Sequence, residues 1–210
     1  VLAAAAAAAA YYLYKNKKED EPEEVVRVSH AEALEKTTAA LKAVGWDDEG
    51  ARVQASIMVS SEACGNNQGL VKMFKPELMA PAPGAGKPVV ERETATSAAI
   101  NANQAPGMLA AVTASDLAAD KALENNVAVV SAYNTSTSSG QLAFYAERQA
   151  KRGLVCLALA NSPEFVAPSA GASSVFGTNP LAVAVPRKGQ APFSFDMATS
   201  AVALFGVLTA

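Results

Sequence analysis

Residues 127–160 constrain the fold more than any other stretch of this 210-residue chain. "VAVVSA" at 127–132 is a short apolar run, and "LVCLALA" at 154–160 is another. Between them "QLAFYAERQAKRG" places Leu142, Tyr145, Ala146 and Gln149 on one helical face, with Gly153 as its stop. The pattern is strand, helix, strand. Because both runs are almost wholly apolar, both are expected to be buried strands, parallel to each other if adjacent. The loop "NTSTSSG", 134–140, joins the first strand to the helix.

The rest of the second half fits around this unit. "PVVERETATSAAI" alternates like a strand, and "GMLAAVTASDLAADKALENN" is helical on the spacing of Met108, Ala111, Val112, Ala119 and Ala122. After residue 160, "NSPEFVAP", "FGTNP" and "FDMATS" are turn-rich, each beside a strand-like run, "LAVAV" or "FSF". Residues 89–210 therefore read as an α/β domain, set off by a linker, "APAPGAGKP", at 80–88. Residues 28–79 read as helical. Ser29 with Glu32 forms a capping-box pattern, Ala31, Leu34, Thr38 and Leu41 share a face, and Gly45 ends the helix. A second helix spans about 49–64 on the spacing of Val53, Ile57 and Ser61, and stops at "GNNQG". Two short helices do not fold alone, so this segment must pack on the later part of the chain.

The first residues differ in kind. "VLAAAAAAAAYYLY", 1–14, precedes "KNKKEDEPEE", and 15–27 read as a charged linker. The apolar run is shorter than the roughly twenty residues that cross a bilayer, yet its tyrosines and lysines look like an interfacial belt. Two readings stand open: a membrane anchor, or an alanine-rich surface helix. The chain is accordingly either membrane-associated through this end or soluble.

Composition excludes several function classes. A net charge of −3 with pI near 5.3 leaves no basic stripe for nucleic acid. One histidine and no Cys-x-x-Cys leave almost no zinc ligands, so no metal site is expected. Cys64 and Cys156 are expected to be buried free thiols, which suits a reducing compartment better than a secretory one. Alanine makes up roughly a fifth of the chain, so true core formers are fewer than the 50% apolar content suggests.

"NTSTSSG" is the first candidate for chemistry. It lies before a helix, where unpaired N–H groups attract anions, and its hydroxyls add donors. It is neither a Walker loop nor a Rossmann fingerprint. The plainer reading, in which Ser138 or Ser139 caps the helix from Gln141 onward, is favoured by the residues alone.

Longer motifs carry a family likeness. "ANSPEFVAPSAGASSVFGTNPLAVAVP" followed by "FSFDMATSAVA" resembles the malate/L-lactate dehydrogenase family of the second, non-Rossmann type, which includes ureidoglycolate and sulfolactate dehydrogenases. The likeness reaches back through "VVSAYNTS…G…FYAERQAKRGL" to "VSHAEALEKTTAALKAVGW" and so spans residues 28–210. It implies a fold of the α/β (α+β) class: a short N-terminal helical segment plus a non-Rossmann cofactor domain, preceded by the candidate membrane helix. It also implies an oxidoreductase that uses NAD or NADP on a small 2-oxo or cyclic imino acid, usually as a homo-oligomer. By position, Ser162, Asp196, Met197 and Ala198 would approach the dinucleotide. Gly177, Thr178 and Asn179 would shape the turn beside it, and Lys72 stands where the family places an arginine for the substrate carboxylate.

Departures from the family pattern are as informative. Gln68 of "NNQG" stands where the family has the histidine of Ser-His-Gly, and Ser138 lies at the approximate place of the histidine in Asn-Ser-x-His-Phe-Gly. The sole histidine, His30, starts a helix. Carbonyl reduction needs a proton near neutral pH, which serine and glutamine supply poorly. Tyr133, Tyr145 or Lys72 are the candidate substitutes. Family members also run on past "DMATSAVALFGVLTA", so only part of the family's site is expected here. A second reading follows, in which the chain is a catalytically degenerate, membrane-tethered accessory subunit of a larger complex.

Overall fold

The computed structural model describes residues 27–66, 68–74 and 79–201 and shows a mixed α/β fold. Helix α1 spans His30–Ala43 and α2 spans Asp48–Ala63. The capping box forms at Ser29: its hydroxyl accepts the Glu32 amide at 3.1 Å, and the Glu32 carboxylate takes the Ser29 amide in return. Gly45, at φ +114°, lets the chain leave α1 in a left-handed turn that few other residues adopt. Asp47 caps α2 by accepting the Gly50 amide at 2.8 Å. A 3-10 helix, Leu70–Phe74, comes next and packs on α2.

The first sheet holds β1 (Val89–Glu93), β2 (Ser97–Asn101) and β3 (Val129–Tyr133) in that order. "PVVERETATSAAI" is thus two antiparallel strands around a turn, where Thr94 accepts from Ser97 and Thr96. Strand β2 leads into α3, Gly107–Asn125, and the chain returns as β3, parallel to β2. The parallel pair is therefore β2 and β3.

The second sheet is wholly antiparallel: β4 (Cys156–Leu159), β5 (Leu181–Arg187) and β6 (Gln190–Met197). Helix α4, Ala143–Ala150, lies on it, so β3 and β4 flank α4 but belong to different sheets. The two strands are not adjacent, so the condition for a parallel pair across α4 is not met. The helical face, however, is as expected, with Leu142, Tyr145, Ala146 and Gln149 all buried.

Both strands flanking α4 were expected to be buried, and neither is. Val127 and Val129 beside β3, and Val155, Leu157 and Leu159 along β4, are all more than half exposed. In an alternating strand, one set of side chains enters the core and the other faces out. Here both sets are apolar, and only the inner set is covered. The outward residues form cross-strand rows: Leu159, Leu181 and Met197; Leu157, Val183 and Phe195; then Val185 and Phe193. On the inner face Ala158, Ala182 and Ala184 are small, which lets α4 settle closely on the sheet.

One core cluster joins Leu41, Ala55, Ile57 and Met58 of the helical segment to Met108, Tyr145, Ala182 and Ala184. The first two helices therefore pack on the later part of the chain, as their length requires. Cys64 is exposed and Cys156 half-buried, and both are free thiols, so the expectation of two buried cysteines is corrected at Cys64. No helix among the described residues is long and apolar enough to cross a membrane. The candidate anchor at 1–14, the charged linker up to residue 26 and the run after Ala201 lie outside the described residues.

Candidate functional site

The antiparallel order of the second sheet brings three loops to one end. Residues 160–162 leave β4 there, 177–180 enter β5 there, and 198–199 leave β6 there. Ser162 Oγ lies 2.9 Å from Thr178 Oγ1, and the Ser162 amide donates to Asn179 Oδ1 at 3.0 Å. Thr199 closes the group, its amide and hydroxyl donating to the Thr178 carbonyl at 3.0 and 3.2 Å. A Cβ on Gly177 would stand 2.3 Å from the Ser162 carbonyl oxygen, so only glycine allows this approach. Asn179 holds φ +39°, an uncommon conformation tolerated best by Asn and Gly. Ser162, Thr178, Asn179, Met197 and Ala198 thus lie at one end of the second sheet. Thr199 was missed, although it sits in the quoted "DMATS".

Asp196 belongs to this end but faces elsewhere. Strand alternation sends Met197 outward and turns Asp196 and Ser194 toward α4. Asp196 Oδ2 accepts the Ala143 amide at 2.8 Å, and the Leu142 amide also donates to this carboxylate. Four residues along the helix, Glu147 accepts the Ser194 hydroxyl at 2.5 Å. Helix α4 thus starts on a charge from a distant strand. Leu142 is already helical and has no side-chain cap, so neither Ser138 nor Ser139 caps this helix. Burial raises the Asp196 carboxyl above its ordinary range, against the pull of the two amides.

The hydroxyl loop serves a different helix. Thr137 Oγ1 accepts the Gly107 amide at 3.2 Å at the start of α3, while Ser136 donates through its amide and hydroxyl to the Ala105 carbonyl at 3.1 and 3.3 Å. Asn134, at φ +60°, is hydrogen-bonded to Gln104 and Asn101. Gly140 closes the loop against Ile57 and Met108. Ser138 is exposed on it. The loop therefore caps α3, and α4 already holds an anion. A phosphate at the start of α4 would meet the Asp196 carboxylate.

Lys72 and Gln68 form a second group. Lys72 is only 7% exposed, and its ammonium donates to the Gln68 carbonyl. Burial lowers its pKa to about 8. Gly69 between them packs on the Met58 carbonyl, and the Leu70 amide donates to Glu62 at 3.1 Å, which ties the segment to α2. The tyrosines are poorer proton sources. Tyr145 is buried with its hydroxyl on the Ser139 carbonyl, and burial pushes its pKa far up. Tyr133 donates to the Glu91 carboxylate, which raises its pKa as well. His30 is exposed at the start of α1. Among the described residues no His, Cys, Asp or Glu group could hold a metal ion.

A groove of about 460 Å³ opens between α2 and α4, walled by Ser60, Cys64, Gln141, Ala143, Glu147 and Lys151. It contains none of Ser162, Thr178 or Lys72 and is distinct from both groups.

A family model described as malate/L-lactate dehydrogenase matches residues 28–210. The chain belongs to the malate/L-lactate dehydrogenase family. Among members of this family, ureidoglycolate dehydrogenase (NAD(+)) of Escherichia coli O157:H7 is 37% identical over 114 residues, 54% of this chain and 32% of that one. Malate dehydrogenase of Pyrococcus horikoshii OT3 superposes with TM-score 0.81 at 28% identity, covering 90% of this chain and 55% of that one. Delta1-piperideine-2-carboxylate reductase of Pseudomonas syringae pvar. tomato gives TM-score 0.77 at 28% identity, over 85% and 55%. The chain spans about half the length of these structures and of the first curated relatives, or less.

Proposed function

We propose that this chain is an oxidoreductase domain that uses NAD or NADP on a small 2-oxo/2-hydroxy acid or a cyclic imino acid. The grouping of Ser162, Thr178, Asn179 and Thr199 at the end of the second sheet, beside Met197 and Ala198, carries the reading. These groups offer paired hydroxyls and an amide side chain, held together by the close loop packing that Gly177 allows, which suits the polar parts of a nucleotide. The cofactor phosphates do not fit at the start of α4, which Asp196 occupies. When bound, the cofactor supplies the hydride. The protein must hold the substrate carboxylate and deliver one proton. Lys72 is proposed for the carboxylate, and with a pKa of about 8 it is also the group of the three substitutes that can release a proton near neutral pH. The division into segments 28–79, 80–88 and 89–210 is proposed with this reading, and so is a homo-oligomeric assembly.

The test is titration of the purified chain with NADH and NADPH, following nicotinamide fluorescence. Saturation, then cofactor oxidation with a panel of 2-oxo acids and cyclic imines, is expected. A folded chain that binds neither at millimolar cofactor ends this reading.

One observation favours a second reading, a degenerate accessory subunit. The residues at the places of the family's histidines, Gln68 and Ser138, carry no group that titrates near neutral pH, and the pKa values of Tyr133 and Tyr145 are both raised. Sedimentation with membranes that vanishes when residues 1–14 are deleted would support a tethered form. A chain that stays in the supernatant with those residues present excludes it.

A further inference from the structure

We propose that Asp196 is a positioning residue, whose charge on the first amides of α4 fixes loop 134–140 against the end of the second sheet. The role differs from the cofactor contact that its place in "FDMATS" suggests. Three observations carry it. First, α4 has no local cap, and its Leu142 and Ala143 amides are taken by Asp196 across 53 residues of chain. Further along, the Tyr145 and Ala146 amides are satisfied within the helix, both donating to the Leu142 carbonyl, at 3.1 and 3.3 Å. Second, among the described residues no Lys or Arg forms an ion pair with Asp196, so the amide dipoles of the helix start are what hold its charge. Third, Asp196 is joined in sequence to Met197–Thr199, and Thr199 closes on Thr178. Its partner amides come directly after Gly140 and Gln141. One carboxylate therefore links the Ser162–Thr178 group to the hydroxyl loop.

Charge rather than shape is the operative property. Asparagine can still offer one acceptor to an amide but removes the anion, while alanine removes both. Any consequence for cofactor affinity rests on the cofactor reading above; the effect on the helix start does not.

The experiment compares wild type, Asp196→Asn and Asp196→Ala by amide hydrogen exchange at Leu142 and Ala143, without cofactor. Exchange is expected to quicken about five- to tenfold in Asp196→Asn and further in Asp196→Ala, because charge-assisted bonds are roughly twice as strong as neutral ones. Added acetate or formate, at about 0.2 M, is expected to restore protection in Asp196→Ala by returning an anion to the helix start. Wild-type exchange in Asp196→Asn overturns the proposal, and so does loss of protection in both variants with no rescue by carboxylate. Should Asp196→Ala not fold, the asparagine variant decides alone, with unchanged exchange as the overturning result. A second arm titrates NADH. A weakening that parallels the exchange rates extends the role to the cofactor, and unchanged affinity in a deprotected variant overturns that part. A wild type that binds no cofactor removes the proposed function but leaves the exchange arm standing.

Discussion

The Lys72 ammonium donates to the Gln68 carbonyl within one short segment, in a setting that leaves the lysine only 7% exposed. Removing a cation from water disfavours its charged form, and the pKa falls from an ordinary 10.5 to about 8. The sign of the linkage is then fixed. Between about pH 8 and 10.5 the unfolded chain binds the proton that the folded chain releases, so stability rises with pH across that window. Below pH 8 both states are protonated, and the native state carries the full burial cost, about 3 kcal/mol at most. Urea unfolding at pH 7.5 and pH 10 is expected to show the rise, and Lys72→Met to flatten it. Equal slopes for wild type and variant would exclude Lys72 as its source.

Asp116 and Arg148 join α3 to α4 through a paired contact, with N···O distances of 2.8 and 2.9 Å. The same carboxylate accepts from Gln149, which is almost fully buried. The two partners are therefore unequal. Arg148→Ala breaks a half-exposed ion pair and should cost less than about 1 kcal/mol. Asp116→Ala also leaves the Gln149 amide short of an acceptor and should cost about 1–3 kcal/mol. Denaturant midpoints for the two single variants check this order, and equal losses would show that Gln149 finds another partner.

What the sequence made legible divides by the range of the interactions involved. Local signals carried through: the Ser29–Glu32 cap, the left-handed Gly45, and the Leu142, Tyr145, Ala146 and Gln149 face are settled within a few residues. Pairing was not. The strands either side of α4 entered different sheets, because nothing in a short apolar run names its neighbour. Burial was misread for the same reason: Leu157 and Leu159 are apolar whether or not something covers them. Family motifs pointed to Ser162 and Thr178, whose side chains meet across neighbouring loops. They could not show that Asp196 turns inward, since that depends on the register of β6 against β5 and on where α4 lies.

The outward rows of the second sheet give a separate expectation. Leu157 and Phe195 stand beside Val183 on that face, 60% and 46% exposed. Contiguous exposed apolar surface of this kind drives association. Leu157→Lys and Phe195→Glu should each change unfolding free energy by less than about 1 kcal/mol, since neither side chain is in the core. Both should lower the sedimentation-average mass at high protein concentration. Unchanged association with both substitutions would show that this face does not mediate contact.

Gly177 tests the geometry of the candidate site most directly. Its φ lies outside the left-handed region, so alanine meets no backbone penalty there, and the whole effect is steric. The added Cβ would sit 2.3 Å from the Ser162 carbonyl oxygen and 2.6 Å from Asn179 Oδ1. Both lie far inside contact distance, so the 162 and 177–179 loops must part, breaking the hydrogen bond between the Ser162 amide and Asn179. Overpacking of this sort costs about 1–3 kcal/mol. Gly177→Ala is therefore expected to lower the thermal midpoint and, if the Ser162–Thr178 group contacts the cofactor, to weaken NADH binding further than Thr199→Val does. Thr199→Val removes one hydroxyl bond to the Thr178 carbonyl and leaves the loops together. A Gly177→Ala chain that loses stability but binds NADH with wild-type affinity would move the cofactor away from this end of the sheet.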